Sequence, residues 1–168
     1  MILRMATQAD IPAVCAIMDA AYEALPDKSL YITDGEDYIA AHVKANGFTL
    51  IAEEDGTAVG FFLVCVPGLA ENNLGRYLDY GEGTLCQVAL MDSAAVLPAY
   101  QGRGIMGAMF RRAVELAEQR YPILLGTVSP DNGPSLRNFE KCGFSRLKRV
   151  VKPNGYERLL MGKFRETP

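Results

Sequence analysis

The run Val96-Leu97-Pro98-Ala99-Tyr100-Gln101-Gly102-Arg103-Gly104-Ile105-Met106-Gly107 constrains the fold more than any other segment of the chain. Apolar residues lead into a glycine-rich loop, and an amphipathic stretch follows with its stripe at Ile105, Met109, Phe110, Ala113 and Leu116/Ala117. A strand that turns through glycines into a helix gathers unpaired backbone N–H groups at one point, where the helix dipole adds positive potential. Glycine lets an anion reach that backbone with no Cβ in the way. Hydrogen bonds to a charged acceptor contribute about 1.5–3 kcal/mol each, so three or four can anchor a pyrophosphate. The expectation is a phosphate-binding loop; the plainer alternative is a tight turn with no ligand.

Read literally, Gly102-x-Gly104-x-x-Gly107 also matches the dinucleotide fingerprint. That version needs a βαβ unit and an acidic residue about 20 positions on, at the end of the next strand. Ile123 to Ser129 contains no carboxylate, and Asp131 comes too late. The hairpin strands before the loop do not suit a doubly wound parallel sheet either, so a nicotinamide cofactor is not expected.

Length and composition narrow the setting. A chain of 168 residues suits one domain, 1–168, able to bury a core without disulfides or metals. With 17 basic and 20 acidic residues it has no overall attraction for nucleic acid. Its longest apolar stretch, Ala58 to Val66, is about half of what a spanning helix needs, so no membrane segment is expected. Arg4, Gln8 and Asp10 break any signal-peptide core. Cys15, Cys65, Cys86 and Cys142 lie apart in apolar contexts, and His42 has no partner cluster. No metal site is expected, and the thiols read as buried and reduced in a cytoplasmic protein.

Local patterns give the order of elements. Ile2 to Met5 reads as a strand; Thr7 caps a helix, with Asp10 in the capping-box position and a stripe at Ile11, Val14, Cys15, Met18 and Ala21. After a loop around Pro26 to Thr33, a second helix spans about Asp34 to Ala45, with Asn46-Gly47 as its C-cap. A hairpin follows, Phe48 to Glu53 and Ala58 to Val66 about Asp55-Gly56. Pro67 to Gly83 reads as a long surface excursion, functional or mobile. Thr84 to Leu97 is a strand interrupted at Asp92-Ser93, where a bulge is expected. Then come a helix from Gly104 to Arg120, a strand from Ile123 to Val128 and a helix from Pro134 to Lys141 closed by Gly143. Strands Phe144 to Val151 and Tyr156 to Phe164 finish the chain. The order β-α-α-β-β-β-α-β-α-β-β describes a mixed α/β (α+β) sheet.

Three segments together resemble the GNAT superfamily of acyl-CoA-dependent N-acyltransferases. Gln101-Gly102-Arg103-Gly104-Ile105 after the Val96 strand resembles the family's acyl-CoA motif, Q/R-x-x-G-x-G/A. Asn132, then Phe139-Glu140-Lys141-Cys142-Gly143-Phe144, resembles its second signature, and Arg4 to Ile11 resembles its opening strand and helix. The resemblance covers essentially the whole chain. It implies the GNAT fold and acetyl-CoA as cofactor, with CoA as product. Backbone groups of Ala95, Val96 and Leu97 would pair with the pantetheine amides, like a strand added to a sheet edge. N–H groups from Gln101, Gly102, Arg103, Gly104, Ile105, Met106 and Gly107 would hold the pyrophosphate. Asn132 would hydrogen-bond near the pantetheine end, and Phe139 would lie beside the thioester. Arg103, Arg111, Arg112 and Lys141 are candidates for the 3′-phosphate, although Arg111 and Arg112 also suit a solvated face.

Two positions depart from the family pattern. Met106 stands at the loop's third small position. Phe139 stands where many members carry a tyrosine that protonates the leaving thiolate, and phenylalanine cannot donate. Acyl transfer also needs a base, because a lysine-type amine is protonated at neutral pH. The family's usual strand glutamate falls near the apolar Leu90, which makes Asp92 the first candidate and Glu82 and Asp79 the alternatives. Tyr31, Tyr77 and Tyr80 can wall an acceptor pocket, while His42 reads as structural or exposed. The expected activity is transfer of an acetyl group to a primary amine of a small molecule or peptide. Another acyl group, a protein amine or a non-catalytic acyl-CoA-binding module are the alternatives, and a homodimer is compatible with each.

Overall fold

The computed structural model describes residues 1–165, apart from the Lys44 side chain. Among these residues one mixed sheet contains seven strands: β1 (Ile2–Met5), β2 (Gly47–Glu54), β3 (Thr57–Cys65), β4 (Val88–Val96), β5 (Ile123–Val128), β6 (Ser145–Val151) and β7 (Glu157–Phe164). Their spatial order is β1-β2-β3-β4-β5-β7-β6. Helices α1 (Ile11–Glu23), α2 (Glu36–Lys44), α3 (Glu82–Leu85), α4 (Ile105–Glu118) and α5 (Gly133–Lys141) complete the fold. The expected order is present, with the one-turn α3 added. Every neighbouring strand pair is antiparallel except β4 with β5, which α4 connects as a crossover.

Each face of the sheet buries its own apolar layer. On one face α4 presents Ile105, Met109, Phe110, Ala113 and Ala117 at helical spacing to Leu50, Phe62 and Val64 of the strands. Phe110 lies within 4.8–5.7 Å, centroid to centroid and edge to face, of Phe62, Phe139 and Phe144. Such pairs add about 0.5–1.5 kcal/mol each beyond their burial. On the opposite face α1 and α2 bury Val14, Ile17, Met18 and Ile39 against Ile51, Phe61 and Leu63. The hairpin turns at Asp55 and Gly56, both at positive φ (49° and 77°), as a two-residue turn requires. Asp10 accepts from the Thr7 N–H at 2.7 Å and is paired with Arg4, which fixes the start of the first helix.

Several local expectations are corrected. Gly47 opens β2 at φ 141° instead of capping α2, because a Cβ there would stand 1.9 Å from the Val64 carbonyl oxygen. The strand expected from Thr84 starts at Val88, since Thr84 and Leu85 belong to α3. The excursion from Pro67 to Gly83 is a packed segment, not a bare loop. Leu74 and Gly75 are buried, and the Asn73 amide bonds the Gly68 and Leu85 carbonyls and the Gly75 N–H. The four thiols are not uniformly buried: Cys65 is, Cys86 is exposed, and Cys15 and Cys142 lie between.

Candidate active site

Parallel pairing of β4 with β5 runs from Val88–Ile123 to Met91–Gly126 and stops, although β4 continues to Val96 and β5 to Val128. The two strands therefore splay, leaving a cleft through the middle of the sheet. The glycine loop lies at one end of this cleft, at the start of α4. Gly102 and Gly104 adopt left-handed φ of 76° and 79°, and a Cβ on either would point into open space. Among the described residues, no N–H from Gly102 to Gly107 donates to another backbone carbonyl. Six donors at a helix N-terminus beside two glycines form a cradle for an anion of pyrophosphate size. Gln101 holds the cradle in place through its amide, which donates to the Val96 carbonyl at 3.1 Å.

The remaining loop candidates separate by where their side chains go. Met106 lies against the α4 core, so its bulk leaves the backbone accessible. Arg103 turns away: it donates to the Ala99 carbonyl, stacks over Tyr100 and faces Glu54 of the hairpin. Arg112 pairs with Glu115, and Arg111, Arg112 and Lys141 are exposed. Asn132 caps α5, its Oδ1 accepting from the Ser135 N–H at 3.1 Å. Phe139 is buried, and its ring edge sits over Gly126, where a Cβ would come within 2.6 Å of it. Gly126 is the last residue of β5 paired to β4, which puts Phe139 where the strands begin to part.

On the opposite face the bulge in β4 assembles a polar group. Leu63 pairs with Ser93 and Val64 with Met91, so Asp92 is the extra residue. The bulge sends both Asp92 and Ser93 toward α2, between Met91 and Ala94, which join the α4-side core. Tyr31 lies 2.9 Å from the Ser93 hydroxyl, and the Tyr38 hydroxyl donates to Asp92 at 2.5 Å. His42 stacks on Tyr38 at 4.1 Å and is buried, its Nδ1 2.7 Å from the Tyr38 carbonyl. Solvent reaches Asp92, but protein walls it on most sides, and that lost solvation raises its pKa against the opposing Tyr38 hydrogen bond. Asp34 is pushed up to about 6, by burial first and then by the negative charge of Asp92. Burial likewise holds the Tyr31 and Tyr38 hydroxyls far above the ordinary phenol value.

Asp34, Tyr38 and His42 were not legible as site residues, because only the register of α2 over the bulge unites them. The alternatives to Asp92 lie elsewhere: Asp79 follows a short 3₁₀ turn and Glu82 opens α3, both exposed. Tyr77 lines a concavity of about 420 Å³ with Asn72, Arg76 and Lys152, and docks its hydroxyl on the Val151 carbonyl. No described helix is long and apolar enough to cross a membrane. Among the described residues no group of three His, Cys, Asp or Glu side chains is arranged to hold a metal.

A splayed parallel pair at the centre of a seven-stranded mixed sheet, with a glycine loop at its mouth, is the fold's defining feature, and the comparisons name the family that shares it. The family model described as Acetyltransferase (GNAT) family matches residues 11–144, well over half of the chain. The chain belongs to the GNAT acetyltransferase family, whose members are acyl-CoA-dependent N-acetyltransferases using acetyl-CoA. A search of the curated proteins returns no match. Among solved structures, a ribosomal-protein-alanine N-acetyltransferase from Brucella melitensis is 22% identical with a TM-score of 0.74, over 98% of this chain and 99% of that one. The Salmonella typhimurium protein yncA, solved with its cofactor acetyl-CoA, is 20% identical with a TM-score of 0.75, over 100% and 95%. Aminoglycoside acetyltransferase AAC(6')-Ib in complex with coenzyme A is 21% identical with a TM-score of 0.72, over 97% and 94%.

Proposed function

We propose that the protein transfers the acetyl group of acetyl-CoA directly to a primary amine, with the cofactor on the α4 side of the cleft and the amine on the α2 side. The observation that carries this reading is the cleft itself, with the N–H cradle at one end and Asp92 at the other. Acetyl-CoA supplies an activated thioester carbonyl. The cradle from Gly102 to Gly107 fits its pyrophosphate by donor count and by the open space above Gly102 and Gly104, while the Gln101 N–H expected to join it donates to the Pro98 carbonyl. The edge of β4 that β5 leaves open offers partners to the pantetheine arm at Ala95 and Val96. The Leu97 N–H expected to join them donates instead to the Val59 carbonyl, and the Val96 carbonyl accepts from Gln101. Asn132 keeps its amide hydrogens for the same arm. The whole chain, 1–168, acts as one domain, and a cytoplasmic location supplies both acetyl-CoA and reduced thiols.

Asp92 is the base. An ammonium acceptor gives one proton to the Asp92 carboxylate, and its nitrogen then bonds to the acetyl carbon as the carbon–sulfur bond breaks. The nitrogen's second proton goes to the departing sulfur, so the products are the acetamide, CoA thiol and one proton released from Asp92. A carboxylate pKa raised above its ordinary range suits this role, because it makes Asp92 a stronger proton acceptor than a free carboxylate. Tyr38 holds the carboxylate in place and Asp34 adds negative charge that draws a cationic amine. The test is a screen of primary amines against acetyl-CoA with detection of released thiol. Amine-dependent release is the expected result.

One observation favours a second reading, an acyl-CoA-binding module without catalysis: Phe139 has no hydroxyl to protonate the thiolate. The energetics argue for turnover nonetheless. A thiol pKa near 8.5 leaves a departing thiolate only about 2 kcal/mol uphill at pH 7, at the low end of what a general acid contributes. Native protein is therefore expected to turn over, and Phe139→Tyr to gain about tenfold or less in kcat. A native protein silent toward every amine, activated by Phe139→Tyr, would establish the module instead.

A further inference from the structure

Beyond the end of β5 a polar recess of about 300 Å³ lies outside the transfer chemistry. Its walls come from three parts of the chain: Ser29 between α1 and α2, Ser129 and Asp131 in the turn into α5, and Tyr156 and Arg158 of the last hairpin. Register brings Arg158 there. Leu159 pairs with Val128, so Arg158, one position back on β7, comes level with Ser129 just past the end of β5.

Arg158 is only 6% exposed, yet it takes part in no ion pair among the described residues. It donates to the Ser29 carbonyl at 2.6 Å and the Glu157 carbonyl at 3.0 Å, and its guanidinium lies 5.2 Å from the centre of the Tyr156 ring. The nearby carboxylates are engaged elsewhere. Asp27 accepts from the Ser29 N–H at 2.8 Å, and Glu157 pairs with Arg149. The Arg158 Nε–H has no acceptor among the described residues. No fully buried side-chain nitrogen or oxygen there lacks a partner, so this N–H opens outward, and the opening that Arg158 lines is the recess.

The other polar groups of the recess complete a pattern. The buried Ser129 hydroxyl accepts from the Asp131 N–H at 3.3 Å, which leaves its own hydrogen to donate. The Asp131 carboxylate is exposed and has neither a hydrogen bond nor an ion pair among the described residues. A buried cation without a counter-charge costs energy that an entering anion recovers. Asp131 in the same recess repels a dianion such as phosphate, whereas a molecule with one charge of each sign satisfies both groups. The volume is at the lower end for ligand sites and suits a molecule of few atoms.

We propose that this recess is a second ligand site, which binds a small free amino acid with its carboxylate on Arg158 and Ser129 and its ammonium on Asp131. Neither Asp92 nor any residue of the glycine loop lines it, so the ligand binds without reacting and the inference does not depend on the transfer reading.

The test is titration calorimetry of CoA-free protein with the common amino acids in turn. The best binder is then compared with its carboxamide, its 2-hydroxy analogue and inorganic phosphate. The carboxamide is expected to bind about tenfold or more weaker, because it loses a charge-assisted hydrogen bond. Arg158→Gln removes binding, and Lys152→Met, in the other concavity, leaves it unchanged. Arg158 also bridges to the Ser29 segment, so its variant can lose the fold. Asp131→Asn changes an exposed side chain and keeps the backbone bond to Ser129, so it carries the test alone if need be. It is expected to weaken the amino acid about tenfold or more and to leave the hydroxy analogue unmoved. No binding by any amino acid at millimolar concentration, a carboxamide or phosphate that binds as tightly, affinity unmoved by Asp131→Asn, or affinity lost in Lys152→Met overturns the inference. None of these outcomes bears on acetyl transfer, which thiol release decides separately.

Discussion

Asp92→Asn is expected to lower kcat/KM for the amine by about 10²–10⁴-fold, the usual contribution of a positioned general base, while acetyl-CoA still binds. The side chains are isosteric and the Tyr38 hydroxyl can donate to an amide oxygen, so the variant should fold. The pH dependence gives an independent check. A base works only when deprotonated, so native activity falls as pH drops through the carboxylate's pKa. Burial raises that value for Asp92, and Asp34 titrates at about 6, so the acidic limb lies above the ordinary carboxylate range. The two groups are coupled through their charges, so the limb belongs to the pair. Asp92→Asn removes the repulsion on Asp34, whose pKa then falls, and the residual activity loses its steep acidic limb. An unchanged pH–rate profile would place the base elsewhere, in water or in the segment from Pro67 to Gly83.

Gly104→Val is expected to weaken acetyl-CoA binding by 100-fold or more. A side chain at φ 79° would project into the open space proposed for the pyrophosphate and would block approach to the cradle. Losing two hydrogen bonds to a charged acceptor costs about 3–6 kcal/mol, which is at least two powers of ten in affinity. Left-handed backbone also strains any β-branched residue, so the variant loses stability as well. Gly68→Val separates the two effects. Gly68 is also left-handed, at φ 54°, beyond the end of β3 away from the loop, with equally open space at its Cβ. It should lose comparable stability and keep acetyl-CoA affinity, as titration calorimetry on both variants would show. Equal affinity in the two variants would mean that the loop does not hold the phosphates.

Much of the site could be read from residues close together in the chain. The cradle is local: glycines at 102 and 104, a strand before them and an amphipathic stripe after them fix its conformation within a dozen residues. The bulge was legible for the same reason, since Asp92-Ser93 interrupts an otherwise apolar strand. What the bulge does was not. Its two side chains find partners on α2 and the segment before it, and the Tyr38–Asp92 bond joins residues 54 apart. Nothing local encodes that meeting; the antiparallel register of β3 with β4 and the seating of α2 produce it. His42, read as structural or exposed, is the former, and its burial beside Tyr38 depends on which side of α2 meets the sheet. The excursion from Pro67 looked mobile because its polar composition hides Asn73, whose amide serves the backbone. Polarity marked exposure there, whereas the structure uses it to satisfy buried carbonyls.

Thermal unfolding with and without acetyl-CoA, beside NAD and NADP, tests the reading of the cleft most directly. A ligand at 100 times its Kd stabilises the fold by about 2.7 kcal/mol, and a chain of this size gains about 2–4 °C per kcal/mol. Acetyl-CoA at that excess is therefore expected to raise Tm by about 5–10 °C, and the nicotinamide dinucleotides not at all. Stabilisation by NAD with none by acetyl-CoA would contradict both the cradle assignment and everything built on it.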